Sequence, residues 1–351
     1  MKKITFICPN LKSGAGIERI TSILINQFVA SGCEVQLILL WENLVEFSLP
    51  DTVDVTFMGF DSSKKISYAC RHIKELIKSI QGDIIYSLMN PASDIAILAG
   101  LLSRKKVIVA ERNDPKSFPF RKINRVIRNI SYNFAHCIVF QTEDQKNYFS
   151  PIVQKKGVII RNPIRENMPK PFRGKRNHHI VASGRLDTQK NLPLLFESYS
   201  RIAEEYQDYD LYLYGKGTRE QELCELAQQM GLSERIHFEG FKKNIDEIIR
   251  DSAMYVSSSD YEGICNSMIE AMSMGIPTIC TDCPIGGARA MITDGVNGLL
   301  VPVRDSEKLY KAMKTFIDRP EYAARLGAKA EEIRNMYPVE KIAKEWLALA
   351  D

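Results

Sequence analysis

Short apolar runs alternate with amphipathic stretches along the whole chain. Runs rich in Ile, Val and Leu at 4–8, 34–40, 53–58, 83–88, 106–110 and 137–140 predict strands. Parallel strands covered on both faces read as such continuous apolar segments. Between them, 17–30, 67–80, 93–102 and 122–134 repeat apolar residues at helical spacing. This rhythm predicts one doubly wound domain, closed by a strand at 157–160 and Asn162-Pro163. The charged, proline-bearing stretch 165–179 predicts a linker. Alternation then restarts, with strands expected at 179–183, 210–214, 236–239, 254–257, 278–281 and 298–301. Helices are expected at 192–205, 219–230, 245–251, 306–317 and 320–335. The fold class expected is α/β, with two Rossmann-like parallel-sheet domains, 1–165 and 176–337, facing across a cleft. A last helix after Pro338, within 339–351, is expected to pack back on the first domain. Ligands of open α/β sheets sit at the carboxyl ends of the strands, so candidate chemistry belongs in the loops that follow them.

Length and charge sharpen this picture. At 351 residues the chain exceeds what one core usually serves, which favours two domains. The net charge of +4 is unevenly spread. Residues 1–170 carry 24 Lys+Arg against 15 Asp+Glu, and the remainder 23 against 28. Nine of the cations lie between Arg104 and Arg128, where Glu111 and Asp114 are the only acids, and such a patch implies a partner. The eight cysteines sit mostly in apolar segments and are expected to be buried thiols in a reducing compartment. The lone C-x-x-C of Cys280 and Cys283 has no second pair and no histidines nearby, so no zinc is expected. No apolar run is long enough to span a bilayer, and the one at the N-terminus is too short for a signal peptide.

Within 255–273, YVSSSDYEGICNSMIEAMS, seven residues separate Glu262 from Glu270, and Gly263 follows the first acid. A helix-like run, 267–274, carries the second. A glycine allows close backbone approach, a helix start attracts phosphate, and two carboxylates can grip hydroxyl groups. The pattern suits an anionic, hydroxyl-rich ligand, although a solvated loop acid and a surface helix acid fit it equally. After the first strand, SGAGIER (13–19) places Gly14 and Gly16 ahead of a helix; it lacks the third glycine of a dinucleotide fingerprint, which disfavours a nicotinamide enzyme. After the first strand of the second domain, SGRLDTQKN (183–191) brings Gly184, Arg185 and Lys190 to a helix start, a setting for diphosphate. Gly215-Lys216-Gly217 and Gly240-Phe241 follow the next strands as base-binding loops or simple turns. Asp208-Tyr209-Asp210 spells a D-x-D but precedes a strand and reads as a surface turn, so no catalytic metal is expected.

In order along the chain, SGAGIERI, ERNDP, SGRLDTQKN, YGKG, FEGF, DYEGICNSMIEAMSMGIPTI and DGVNGLLVPVRD resemble the GT-B retaining glycosyltransferases of the family-four type, in particular bacterial members that build surface polysaccharides. The resemblance implies a GT-B fold, a nucleotide diphosphate sugar as co-substrate, and no metal or other cofactor. It implies that Arg185 and Lys190 bind the donor diphosphate and stabilise the leaving group. Glu262 would hold the sugar hydroxyls, Gly263, Ile264, Cys265, Asn266 and Ser267 would line sugar and phosphate, and Glu270 would take the ribose. Gly184, Gly215, Gly217 and Phe241 would complete the donor side, and Gly14 and Gly16 would cover the phosphates from the other domain. Many relatives carry a histidine where this chain has Glu111-Arg112-Asn113, placed here on the acceptor side. Many also carry a Gly-Pro-Arg-Glu run where this chain has Gly286 to Ala290 without an acid.

The stretch 117–135 reads as a helix with Ile123, Ile127, Ile130 and Phe134 on one side and Lys122, Arg125 and Arg128 largely elsewhere. Phe118, Phe120 and Arg121 precede or open it. It is either a solvated helix packed on its sheet or a cationic, aromatic-tipped element for an anionic membrane and a lipid pyrophosphate. No nucleic-acid motif is present. The expected protein is a cytoplasmic enzyme, peripheral on the inner face of the cell membrane. It would transfer sugar from a UDP-sugar to a lipid-linked saccharide with an α-linkage. A GT-B sugar-nucleotide epimerase and a non-catalytic nucleotide-sugar-binding protein are the rival readings.

Overall fold

The structure, a computed structural model, describes residues 1–12, 16–61, 63 and 65–351, the side chains of Lys65 and Ile66 excepted. These residues group into two compact units, Met1–Pro163 with Val339–Asp351, and Ile164–Pro338.

The first unit is built on a parallel sheet of β1 (Lys3–Cys8), β2 (Glu34–Leu39), β3 (Asp54–Phe57), β4 (Ile84–Ser87), β5 (Lys106–Ala110), β6 (Cys137–Phe140) and β7 (Gly157–Ile159), in the order 3-2-1-4-5-6-7. Parallel neighbours require crossovers; the β2–β3 connection is irregular, and the others are made by helices. They are α1 (Gly16–Ala30), α2 (Lys65–Arg71), α3 (Ile73–Ser79), α4 (Ala92–Ser103), α5 (Lys122–Ser131), α6 (Glu143–Asn147) and α7 (Pro151–Lys156). The inner strands are buried along their length, as their continuous apolar character requires. The helix expected over 67–80 is divided in two at His72. The short helices α6 and α7 were not expected from periodicity. Each is fixed by its cap: Thr142 Oγ1 accepts from the Gln145 N–H at 3.1 Å, and Ser150 caps a helix that opens on Pro151.

The second unit repeats the plan with β8 (His179–Ser183), β9 (Asp210–Tyr214), β10 (Ile236–Gly240), β11 (Met254–Ser257), β12 (Thr278–Thr281) and β13 (Leu299–Val301), in the order 10-9-8-11-12-13. Its helices are α8 (Leu192–Glu205), α9 (Glu220–Gln229), α10 (Ile245–Ile249), α11 (Asn266–Ser273), α12 (Ser306–Asp318), α13 (Pro320–Ala330) and α14 (Ile333–Met336). The chain enters and leaves this unit side by side, with the Ile164 N–H donating to the Tyr337 carbonyl at 2.8 Å. The final helix, α15 (Val339–Ala348), packs on α1 in the first unit. Trp346 explains why: it is fully buried beside Tyr86, whose hydroxyl donates to the Trp346 carbonyl at 2.8 Å. Truncating such a buried aromatic costs about 3–5 kcal/mol.

In the second sheet, the order reverses between the adjacent strands β8 and β11. Successive connections leave in opposite directions there, so the loops after these two strands flank one crevice. Those loops carry SGRLDTQKN and SSDYEGIC. Of the cysteines, Cys8, Cys137, Cys265, Cys280 and Cys283 are buried as expected, whereas Cys70 and Cys224 are exposed.

Candidate active site

The loop after β8 makes a single 3-10 turn, Thr188–Lys190, in which Asp187 caps the Gln189 N–H at 3.1 Å. The turn is tied to the loop after β11 by three hydrogen bonds. Asn191 Nδ2 donates to Asp260 Oδ1 at 2.8 Å, Ser258 Oγ to the Lys190 carbonyl at 2.8 Å, and the Asp260 N–H to the Gln189 carbonyl at 2.9 Å. These bonds aim Lys190 inward, where its Nζ donates to Glu262 Oε2 at 2.5 Å and lies 3.7 Å from Cys265 Sγ. Ser259 Oγ donates to the same carboxylate oxygen at 2.9 Å. Burial alone would lower the pKa of the Lys190 ammonium, but Cys265 and Glu262 outweigh it and hold the group above its ordinary value. Lys190 is therefore a fixed cation.

Arg185 behaves differently. It is mostly exposed and its Nη2 lies 3.4 Å from Asp187 Oδ2, so it lines the crevice as an exposed charge beside the buried one. A pocket of about 310 Å³, open to solvent, is lined by both cations together with Ser183, Gly184, Tyr214 and Tyr255. The glycines here serve close backbone approach. Gly215 has φ +140°, and a Cβ on it would lie 1.8 Å from the Gly184 carbonyl oxygen. Gly217 is packed as tightly on Leu186, so both loops are dictated by contact between neighbouring strand ends.

Behind Glu262, a second pocket of about 220 Å³ is lined by Ser257, Glu262, Gly263, Cys265, Cys280 and Cys283. Burial pushes the Cys283 thiol up to about 12 and raises Cys280 as well, so both stay neutral. Helix α11 starts at this wall. Its Ser267 Oγ donates to the Ser183 carbonyl at 3.1 Å and pairs with the Tyr255 hydroxyl at 2.8 Å, which pins the helix start to the end of β8. Glu270, one turn further, is buried rather than a surface acid. Arg165 holds it, with Nε donating to Glu270 Oε1 at 3.1 Å while Nη2 bonds Asp246. Burial opposes the charge on Arg165, and the two carboxylates more than restore it. Sequence reasoning missed Arg165, which reads as a linker residue. Phe241 is half exposed beyond β10. The D-x-D carboxylates are engaged elsewhere: Asp208 pairs with His178, and Asp210 with Arg235 and His237.

In the first unit, Gly16 opens α1, and Gly14 lies outside the described residues. Glu111, directly after β5, is buried and accepts from Arg128 Nη1 at 3.1 Å and from the Arg112 N–H at 3.1 Å. Burial pushes its carboxyl up to about 7 against the pull of Arg128. Arg112 bonds the Asn162 side chain through Nη2, and burial lowers it to about 10. Asn113 accepts the Asp114 N–H at 2.8 Å through its own side chain, which shapes the turn.

The expected surface patch needs one correction. Arg128 is fully buried, donating also to the Phe118 carbonyl at 2.6 Å and the Pro115 carbonyl at 2.8 Å. A carboxylate and several carbonyls reached it first, so it belongs to the interior. Arg125 is half-buried on the Pro119 and Phe120 carbonyls, Phe118 is half-buried against Phe120, and Arg121, Lys122 and Phe120 are exposed.

Residues 163–333 match the family described as glycosyl transferases group 1. Among similar proteins, the N-acetylgalactosamine-N,N'-diacetylbacillosaminyl-diphospho-undecaprenol 4-alpha-N-acetylgalactosaminyltransferase of Campylobacter jejuni is 25% identical over 99% of both chains. The amylovoran biosynthesis glycosyltransferase AmsD of Erwinia amylovora is 24% identical, again over 99% of both. Among solved structures, Anabaena HepE in complex with UDP and glucose superposes with a TM-score of 0.81 at 19% identity, covering 99% of each chain.

Proposed function

From the premise that the chain belongs, through residues 163–333, to the glycosyl transferases group 1 family and is a glycosyltransferase of polysaccharide biosynthesis, we propose the following reaction. The enzyme transfers a sugar from a UDP-sugar to a lipid-linked saccharide and retains the anomeric configuration, forming an α-glycoside. The donor is suggested by the UDP complex of the Anabaena protein, the lipid-linked acceptor and the α-linkage by the name of the Campylobacter relative.

The observation that carries this reading is the buried Lys190–Glu262 pair at the switch point of the second sheet. A fixed ammonium beside the start of α11 suits a diphosphate, whose charge grows as the bond to the sugar breaks. Lys190 and Arg185 stabilise that leaving group. Glu262, held by Lys190 and Ser259, keeps a second oxygen for sugar hydroxyls, and Glu270 takes ribose hydroxyls. Gly263 to Ser267 line the sugar and phosphates. On the acceptor side, Arg112 brings a buried guanidinium to the end of β5, and its Nη1 has no protein partner among the described residues. No described helix is long and apolar enough to cross a membrane; an anionic membrane surface is included as a partner, met by the exposed Arg121 and Lys122.

A screen of uridine, guanosine and adenosine diphosphate sugars, read by donor hydrolysis and thermal shift, tests the donor. A response to UDP-sugars is expected, and silence towards all three classes overturns the reading. Interconversion of free donor without acceptor would reveal an epimerase instead.

A further inference from the structure

Helix α5 is turned inside out relative to an ordinary surface helix. The one side chain it buries fully is a cation, Arg128, fixed by Glu111 and by the Pro115 and Phe118 carbonyls. The helix is locked further by Ser131 Oγ, which donates to Asp94 Oδ1 at 2.5 Å. With its polar side held inward, the apolar side points to solvent. Phe120, Ile123, Val126, Ile130 and Phe134 are 51–72% exposed. From Ile123 to Ile130 the spacing keeps these side chains within roughly a 100° arc of a helix, one continuous stripe. Ile152, also exposed, extends it: it follows Ser150, whose hydroxyl donates to Asn133 at 3.1 Å beside Phe134. Scattered exposed apolar residues need no explanation, but a contiguous stripe marks a contact surface.

The charges around the stripe name the partner. No carboxylate occurs from Pro115 to Thr142, while Lys116, Arg121 and Lys122 are exposed at the helix start and Lys155 lies beyond Ile152. An apolar face with exposed cations at its start and no carboxylate on its own segment complements an anionic, apolar-cored surface. We propose that α5 docks the protein on anionic bilayers by lying in the interface with Phe120, Ile123, Val126, Ile130 and Phe134 inserted among the acyl chains and Arg121 and Lys122 on the headgroups. This rests on the membrane part of the proposed function and deepens it, while the donor chemistry stands independently. It moves the contact from cations to the apolar stripe and removes Arg128 from it.

The test is flotation of the full chain with phosphatidylglycerol–phosphatidylcholine vesicles and with phosphatidylcholine alone, beside Ile123→Ser/Ile130→Ser and Arg121→Glu/Lys122→Glu. Native protein is expected to float with the anionic vesicles only. The isoleucine variant should lose partitioning roughly tenfold or more, with thermal unfolding and donor hydrolysis unchanged. The charge-reversed variant should lose it too. Flotation of the isoleucine variant equal to that of the native protein overturns insertion and leaves a purely electrostatic contact. Failure of the native protein to float overturns the membrane reading altogether. Light scattering that shows a native dimer and an isoleucine-variant monomer would make the stripe a contact between copies, and would also overturn the proposal.

Discussion

Lys190 and Glu262 come from different loops and share one short hydrogen bond, and both are anchored on neighbouring serines of the loop after β11. The lysine is anchored through its own carbonyl on Ser258, and the acid through Ser259. With its pKa held above 10.5, Lys190 contributes stability and positive charge at every ordinary pH. The sign follows from a base with a raised folded pKa: the contribution is complete below 10.5 and is lost only as pH rises through the higher folded value. A pH profile of donor turnover is therefore expected to show no alkaline inflection from this residue below 10.5. Arg165 is a positioning residue for Glu270. Arg165→Ala should raise the donor KM by about tenfold, the cost of about 1.4 kcal/mol for a freed carboxylate, with kcat little changed. Arg165→Lys should restore part of the affinity. An equal fall in kcat and kcat/KM, measured by steady-state kinetics, would show that Arg165 acts in the transition state instead. The two acids and Lys190 were legible from the sequence because they lie in two contiguous motifs. Arg165 was not, since its partners are 81 and 105 residues away and only the fold brings them to it.

Among the elements, α5 separates what periodicity gives from what it cannot. The helix and its apolar stripe are visible as spacing, but which side faces inward depends on Glu111, which sits at the end of a strand 17 residues before Arg128. A buried guanidinium with one carboxylate and several carbonyls outweighed the preference of isoleucines for the interior. Removing one partner strands the other in a buried site. Arg128→Ala is accordingly expected to destabilise the first unit by about 3–5 kcal/mol, read as a fall in the denaturation midpoint. The paired change Glu111→Gln/Arg128→Met should cost clearly less, and equal costs would contradict the pairing. The strands were legible for the opposite reason: parallel strands are apolar on both faces and need no distant partner to identify them. Short helices such as α6 and α7 carry too few turns for periodicity and are marked only by Thr142-x-x-Gln145 and Ser150-Pro151.

In the molecule as a whole, two sheets with a common strand order are joined by a chain that returns at Pro338 to complete the first unit with α15. The second sheet brings together Lys190, Glu262 and the start of α11 because β8 and β11 are neighbours at the reversal of strand order. The alternation of strand and helix implies a doubly wound sheet but not which strands flank the reversal, and the contact between the two loops joins residues 69 and 68 positions apart in the chain. This crevice is proposed to activate a nucleotide sugar through a fixed ammonium and its carboxylate. The most direct measurement is turnover of UDP-sugar by the native protein beside Lys190→Ala and Glu262→Gln, each first matched for thermal unfolding. Turnover should fall by about 10²-fold or more in both folded variants. Full activity in either folded variant would contradict the assignment of the site.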